Sequence, residues 1–152
     1  MNDFSVSVAK IAQILDLKNF TDNIDLKKIK ITSSDVNRPA LQLTGYFAHF
    51  EQSRIQMIGN VEYAYIQQMS DEEKRIRYSA FLQFEIPCVI FCRDLQPDAI
   101  FIEQAEKNHV PILGTSRPTS EFMAELIYTL AEKLAPSITC LLYTSDAADD
   151  LT

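Results

Sequence analysis

Two short stretches of this sequence concentrate side chains able to hold an anion. The first is Ser33-Ser34-Asp35, followed by Arg38; the second is Thr115-Ser116-Arg117, followed by Thr119. Hydroxyls donate to phosphate-like oxygens, and a guanidinium adds a charged, fork-shaped donor. At the end of a strand, the first set can bind a small anion or a nucleotide sugar, because ligands of open α/β sheets gather at strand carboxyl ends. The second set lies between an apolar segment and a helical pattern, where a helix N-terminus presents partial positive charge. Each set also has a plainer reading. Ser and Asp satisfy local turn hydrogen bonds, Arg38 pairs with a nearby carboxylate, and Ser or Thr simply caps the helix.

Other arrangements carry less chemistry. Asp94 and Asp98 read as capping or first-turn residues, and His109, after Asn108, suits the negative end of a helix dipole. A Ser-His-Asp set can be assembled on paper, but no Gly-x-Ser-x-Gly elbow accompanies it. Gly45, Gly59 and Gly114 are the only glycines, so neither a Walker A loop nor a dinucleotide fingerprint is present. Three cysteines make no disulfide framework. Cys88 and Cys92 flank a strand at a spacing that puts both on one face, and they read as buried free thiols. No zinc spacing links them to His49 or His109.

The elements that must position these residues follow from periodicity. An extended Phe4–Val6 segment leads to a helix capped by Ser7, with Val8, Ile11, Ala12 and Leu15 on one face. Lys28–Thr32 alternates like a strand. Leu41-Gln42-Leu43 is a short strand or turn, and Arg54–Gly59 is a strand. Asn60 caps a helix to about Met69 that turns Val61, Ala64 and Tyr65 to one side. Ser70-Asp71-Glu72-Glu73 is a capping box, opening a helix to about Phe84 that uses Ile76, Ala80, Phe81 and Phe84. Cys88–Cys92 is a strand, Pro97 suits the first turn of the next helix, and Val110–Gly114 is another strand. Thr119 caps the longest helix, which buries Phe122, Met123, Leu126, Ile127, Leu130 and Leu134. Ser137–Cys140 begins like a further strand. The alternation from residue 54 onward implies an α/β fold, a three-layer sandwich around a largely parallel sheet. Tyr46, Phe47, Phe50, Tyr63 and Tyr65 read as core, with some exposure around Tyr63.

The run Ser33–Phe47, with Arg54-Ile55-Gln56-Met57-Ile58-Gly59 and Thr119-Ser120-Glu121-Phe122, resembles the N-terminal domain of bacterial HPr kinase/phosphorylase. The resemblance covers roughly residues 4 to 140. It implies a fold similar to the first domain of the Mur ligases. It also implies a parent enzyme that phosphorylates a serine of the phosphocarrier HPr with ATP or pyrophosphate and removes that phosphate by phosphorolysis, in carbon catabolite regulation. In that family the P-loop, catalytic Asp and His, and Mg²⁺ site follow the matched region. The resemblance therefore implies a regulatory or assembly domain, inactive alone and without catalytic, cofactor or metal residues of its own. ATP, Mg²⁺, HPr, the catalytic domain and a hexamer are implied for the full-length enzyme. The alternative is a free-standing module binding a nucleotide or phosphorylated metabolite through the two stretches above.

The length of 152 residues agrees with a single domain, expected at residues 1–140, with a tail at 141–152. The family pattern expects a His-Gly pair where Leu141 stands, and the small, acidic tail looks like foreign sequence joined at a truncation. Hydrophobic residues make up 47% and charged ones 23%, ordinary values for a globular chain. A net charge of −7 argues against non-specific nucleic-acid binding, despite Lys27, Lys28 and Lys30. No apolar run approaches the ~20 residues of a membrane helix, and no secretory signal is visible. A cytoplasmic protein without membrane contact is expected.

Overall fold

The computed structural model describes residues 4–135. The expected strand at 137–140 and the tail at 141–152 lie outside the described residues. At its centre is a five-stranded sheet. Strands β4 (Val36–Asn37), β5 (Ile55–Ile58), β6 (Val89–Phe91) and β7 (Ile112–Gly114) are parallel, and β2 (Lys18–Asn19) pairs antiparallel with β7. The order is β2-β7-β6-β5-β4. Strands β5, β6 and β7 are buried throughout, as expected when helices cover both faces of a parallel sheet. A separate antiparallel pair joins β1 (Val6–Ser7) to β3 (Lys30–Ile31). The Lys28–Thr32 alternation is therefore a real strand, but a shorter one, because Leu26–Lys28 forms a 3₁₀ turn capped by Asp25.

Among the described residues, six helices complete the sandwich: α1 (Val8–Ile14), α2 (Ala40–Leu43), α3 (Asn60–Gln67), α4 (Asp71–Leu82), α5 (Ala99–Lys107) and α6 (Thr119–Leu134). Helices α1 and α6 cover one face, where Val8, Ile11, Phe122, Leu126 and Leu130 meet Ile55, Met57, Cys88, Ile90 and Cys92. Helices α2 to α5 cover the other, where Leu43, Ile66, Tyr78, Phe81 and Phe101 meet Ile58, Val89, Phe91 and Ile112. The strands divide their side chains between the two cores with period two. Cys88 and Cys92 share the α1/α6 core as buried free thiols, as their spacing predicts. Among the described residues no helix is long and apolar enough to cross a membrane.

Several local expectations need correction. Leu41-Gln42-Leu43 lies in α2, which ends where Gly45 takes a φ of 98° and its N–H bonds the Gln42 carbonyl. Helix α3 buries Glu62 and Ile66, whereas Val61 and Tyr65 are exposed. In α4 the buried residues are Tyr78, Phe81 and Leu82, and Ile76 is exposed; Ile127 of α6 is likewise exposed. Pro97 precedes α5, whose cap is Asp98, with Oδ1 accepting from Phe101 N–H at 2.8 Å. Tyr63 is half-buried against Phe91, and it is Tyr46 and Tyr65 that reach solvent. Full burial of one large apolar side chain contributes about 1.5–3 kcal/mol. The choice of helix face thus follows the core each helix meets, more than apolar residues counted on its own surface.

Candidate functional site at the carboxyl edge of the sheet

Because β4 to β7 are parallel, their carboxyl ends open on one edge. The residues that emerge there are Arg38 after β4, Gly59 after β5, Cys92 and Arg93 after β6, and Thr115 after β7. Helices α3 and α6 both begin at this edge, on opposite faces of the sheet. Asn37 sets the direction of the chain into Arg38. Its side-chain amide donates to Gln56 Oε1 at 2.7 Å and to Gln42 Oε1 at 3.1 Å.

Arg38 Nη2 donates to Glu62 Oε1 at 2.7 Å. The same carboxylate oxygen accepts from Gly59 N–H at 2.8 Å, so Glu62 both closes the first turn of α3 and receives the guanidinium. The expected cap at Asn60 is replaced by this Glu62-to-backbone bond, with Gly59 at the cap position. Glycine is required at 59 by close approach. A Cβ there would lie 2.7 Å from Thr119 Oγ1 and 2.8 Å from Arg38 Nη2.

Thr119 is the first residue of α6, and no side chain caps that helix, because Pro118 occupies the cap position. The expectation that Thr119 caps α6 is thus corrected: its buried hydroxyl turns toward Gly59. Cys92 lies beside Thr119, and burial pushes its thiol up to about 11; burial pushes Cys88 up to about 12. Neither is poised as a thiolate nucleophile. The loop after β6 is held to the loop after β7 by Arg93 N–H to Arg117 O at 3.0 Å and Asp94 N–H to Thr115 O at 2.9 Å. Arg93 and Asp94 both take a φ of 60° there.

The structure divides the two sequence-predicted sets. Ser33, Ser34 and Asp35 precede β4 and lie at the amino edge, away from Arg38. Ser33 Oγ accepts from Asp35 N–H at 3.1 Å, and Asp35 Oδ2 stands 3.6 Å from Arg54 Nη2. Thr115, Ser116 and Arg117 share the carboxyl edge with Arg38. Thr115 Oγ1 accepts from Arg117 N–H at 3.3 Å, and Arg117 is ion-paired with Glu125. Thr115 and Ser116 also line a small cavity of about 140 Å³ with Lys18, Phe20 and Asp94. Gly59, Glu62 and Cys92 were missed as parts of this corner. The signal for two of them was present: a glycine at a buried strand's end, with Glu three residues later, is capping spacing. At the amino edge, a wider groove of about 590 Å³ is lined by Lys28, Lys30, Ser53, Phe84, Glu85 and His109. Among the described residues there is no cluster of three His, Cys, Asp or Glu able to hold a metal ion.

The model of the family described as HPr Serine kinase N terminus matches residues 6–130. The chain belongs to this family. The HPr kinase/phosphorylase of Lachnoclostridium phytofermentans is 44% identical over 135 residues, 89% of this chain and 44% of that protein. Those of Caldanaerobacter subterraneus and Clostridium botulinum are 40% and 38% identical, over 88% and 87% of this chain and 44% and 43% of theirs. The chain thus spans less than half the length of these HPr kinase/phosphorylases. Among solved structures, the regulatory region of Clostridium perfringens pyrophosphatase, with its CBS and DRTGG domains, shares the fold. The TM-score is 0.55 at 18% identity, over 82% of this chain and 46% of that one.

Proposed function

We propose that this chain is the regulatory and assembly domain of a bifunctional HPr serine kinase/phosphorylase, and that it carries no catalytic centre of its own. The observation that supports this most directly is the match to the family's N-terminal portion alone, over residues 6–130. On this reading ATP, Mg²⁺ and HPr are handled by a separate catalytic part. That part also builds most of a hexamer and works in the cytoplasm in carbon catabolite regulation. The glycine content fits: three isolated glycines cannot form the amide cradle that a P-loop wraps around phosphate. A regulatory role draws further support from the pyrophosphatase regulatory region, whose structure was solved with an activator, diadenosine tetraphosphate.

Two measurements test the proposal. Incubated with HPr and Mg·ATP, the chain alone should form no phosphoserine; phosphate transfer would overturn the assignment. Residues 6–130 should also replace the matching part of the L. phytofermentans kinase/phosphorylase. The chimera is expected to keep that enzyme's oligomeric size and effector response, and behaviour like a simple deletion would count against an assembly role.

A further inference from the structure

Among the described residues, the small antiparallel sheet leaves one side of β3 without a partner strand. Val8 N–H donates to Ile29 O at 2.9 Å, and Ser7 lies opposite Lys30. Bonded and non-bonded residue pairs alternate along an antiparallel ladder, so the N–H and C=O of Lys30 point away from β1. This free edge borders the groove at the amino edge of the five-stranded sheet, which both Ile29 and Lys30 line. Successive strand residues point their side chains to opposite faces. A groove that meets both therefore runs along the edge of the strand, where an extended chain can add itself by backbone hydrogen bonds.

Shape and charge are independent of that edge. The groove, of about 590 Å³, has an apolar floor in which half-buried Ile29 and Phe84 lie with buried Ile86 and Val110. Gln83 and Asn108 also line a second groove of about 520 Å³, bordered by Arg75 and Lys107, so the two form one long trough. Lys28, Lys30, Arg75 and Lys107 make no ion pair with a described residue. Glu85 is the one carboxylate that lines either groove. Asp25, close by in the chain, is turned to the Lys27 amide at 3.0 Å. A chain of net charge −7 thus gathers four uncompensated cations along one trough. The local excess complements a ligand of negative charge, and the length of the trough suits an extended chain better than a compact anion.

We propose that this trough docks an extended acidic peptide of a partner protein as an added strand on β3. The backbone of the peptide bonds the N–H and C=O of Lys30. Its carboxylates meet Lys28 and Lys30 at one end and Lys107 and Arg75 farther along, while alternate apolar side chains rest on Ile29 and Phe84. The inference goes beyond the regulatory and assembly reading and does not require it. Exposed ion pairs are individually weak, so binding is expected in the range of roughly 0.1–1 mM.

The test is an amide NMR titration of the full chain with an acetylated, amidated octapeptide of alternating Glu and Val. Saturable shifts centred on Lys30 and its neighbours, and on Phe84 and Asn108 across the groove, support the site. Replacing every Glu of the peptide by Gln should weaken binding about tenfold, and N-methylation of its backbone amides should weaken it about fivefold. The double variant Lys28→Gln, Lys30→Gln changes exposed side chains only and should also bind about tenfold more weakly. The proposal is overturned if the shifts do not saturate or centre elsewhere, or if the folded double variant titrates like the parent. It is equally overturned if the Gln or the N-methylated peptide binds as tightly as the first. Inorganic triphosphate that produces the same shift map with equal affinity would show a plain anion site and overturn it too. Should the double variant fail to fold, the peptide comparisons decide.

Discussion

Arg38 Nη2 stands 2.7 Å from Glu62 Oε1, and this contact joins the end of β4 to the first turn of α3. The Glu62 side chain is 4% exposed and that of Arg38 36%. The pair is therefore one buried carboxylate reached by a half-exposed cation. Breaking a fully buried pair costs several kcal/mol, and solvent access to Arg38 reduces that figure. Arg38→Met should lower unfolding free energy by about 1–3 kcal/mol in urea titrations. Adding Glu62→Gln should recover part of the loss, since a neutral amide needs no counter-charge. A single-variant effect below about 0.5 kcal/mol would show that the pair is decorative.

Gly59→Ala tests the close approach directly. The added methyl meets a Thr hydroxyl on a helix, which cannot swing away freely, and an Arg tip that can. The expected cost is about 1–3 kcal/mol, and it should shrink in the Thr119→Ala background, where one of the two obstacles is gone. Equal costs in both backgrounds would place the strain elsewhere.

Two N-caps should differ in value. Ser70 closes an exposed capping box with Glu73 through bonds of 3.1 Å in each direction, so Ser70→Ala should cost about 1 kcal/mol. Asp98 caps α5, accepts from Tyr78 O–H at 2.8 Å, and lies 3.3 Å from Lys74 Nζ. Asp98→Ala also orphans the buried Tyr78 hydroxyl and should cost about 2–4 kcal/mol. Thermal or urea unfolding of the two variants compares them directly; equal effects would mean that Asp98 acts as a cap only.

Stability should fall in alkali. Burial holds Cys92 near 11 and Cys88 near 12 in the fold, above their ordinary value of 9.0. Tyr78 is raised above its usual value of 10.0 by burial first and by its bond to Asp98 second. All three bind their protons more tightly when folded. Their contribution is therefore intact below pH 9 and is lost as pH rises, because the unfolded chain ionises first. The slope is roughly 1 kcal/mol per pH unit for each thiol. Urea midpoints measured from pH 8 to 11 should decline, and Cys88→Ala should flatten the curve. A midpoint independent of pH across that range would contradict the burial of these groups.

By itself the sequence determined the class of fold, because apolar runs bounded by Gly, Pro and capping residues alternate with helical spacing from Arg54 to Leu134. The buried thiols follow from the same period-two logic, and the family is legible in the run from Ser33 to Phe47. Tertiary structure alone decided where β2 and β4 join the sheet. Each is two residues long, too short to show a period, and is recruited by β7 and β5 through backbone hydrogen bonds. It also decided that Val61, Ile76 and Ile127 face outward, since burial depends on the partner across the interface. The candidate corner shows the limit most clearly. Ser33 to Asp35 are near Arg38 in the chain but lie at the opposite edge, because the strand between them separates its two ends. Gly59, Glu62, Cys92 and Thr119 are distant in sequence, yet they meet Arg38 because parallel strands deliver their carboxyl ends to one place.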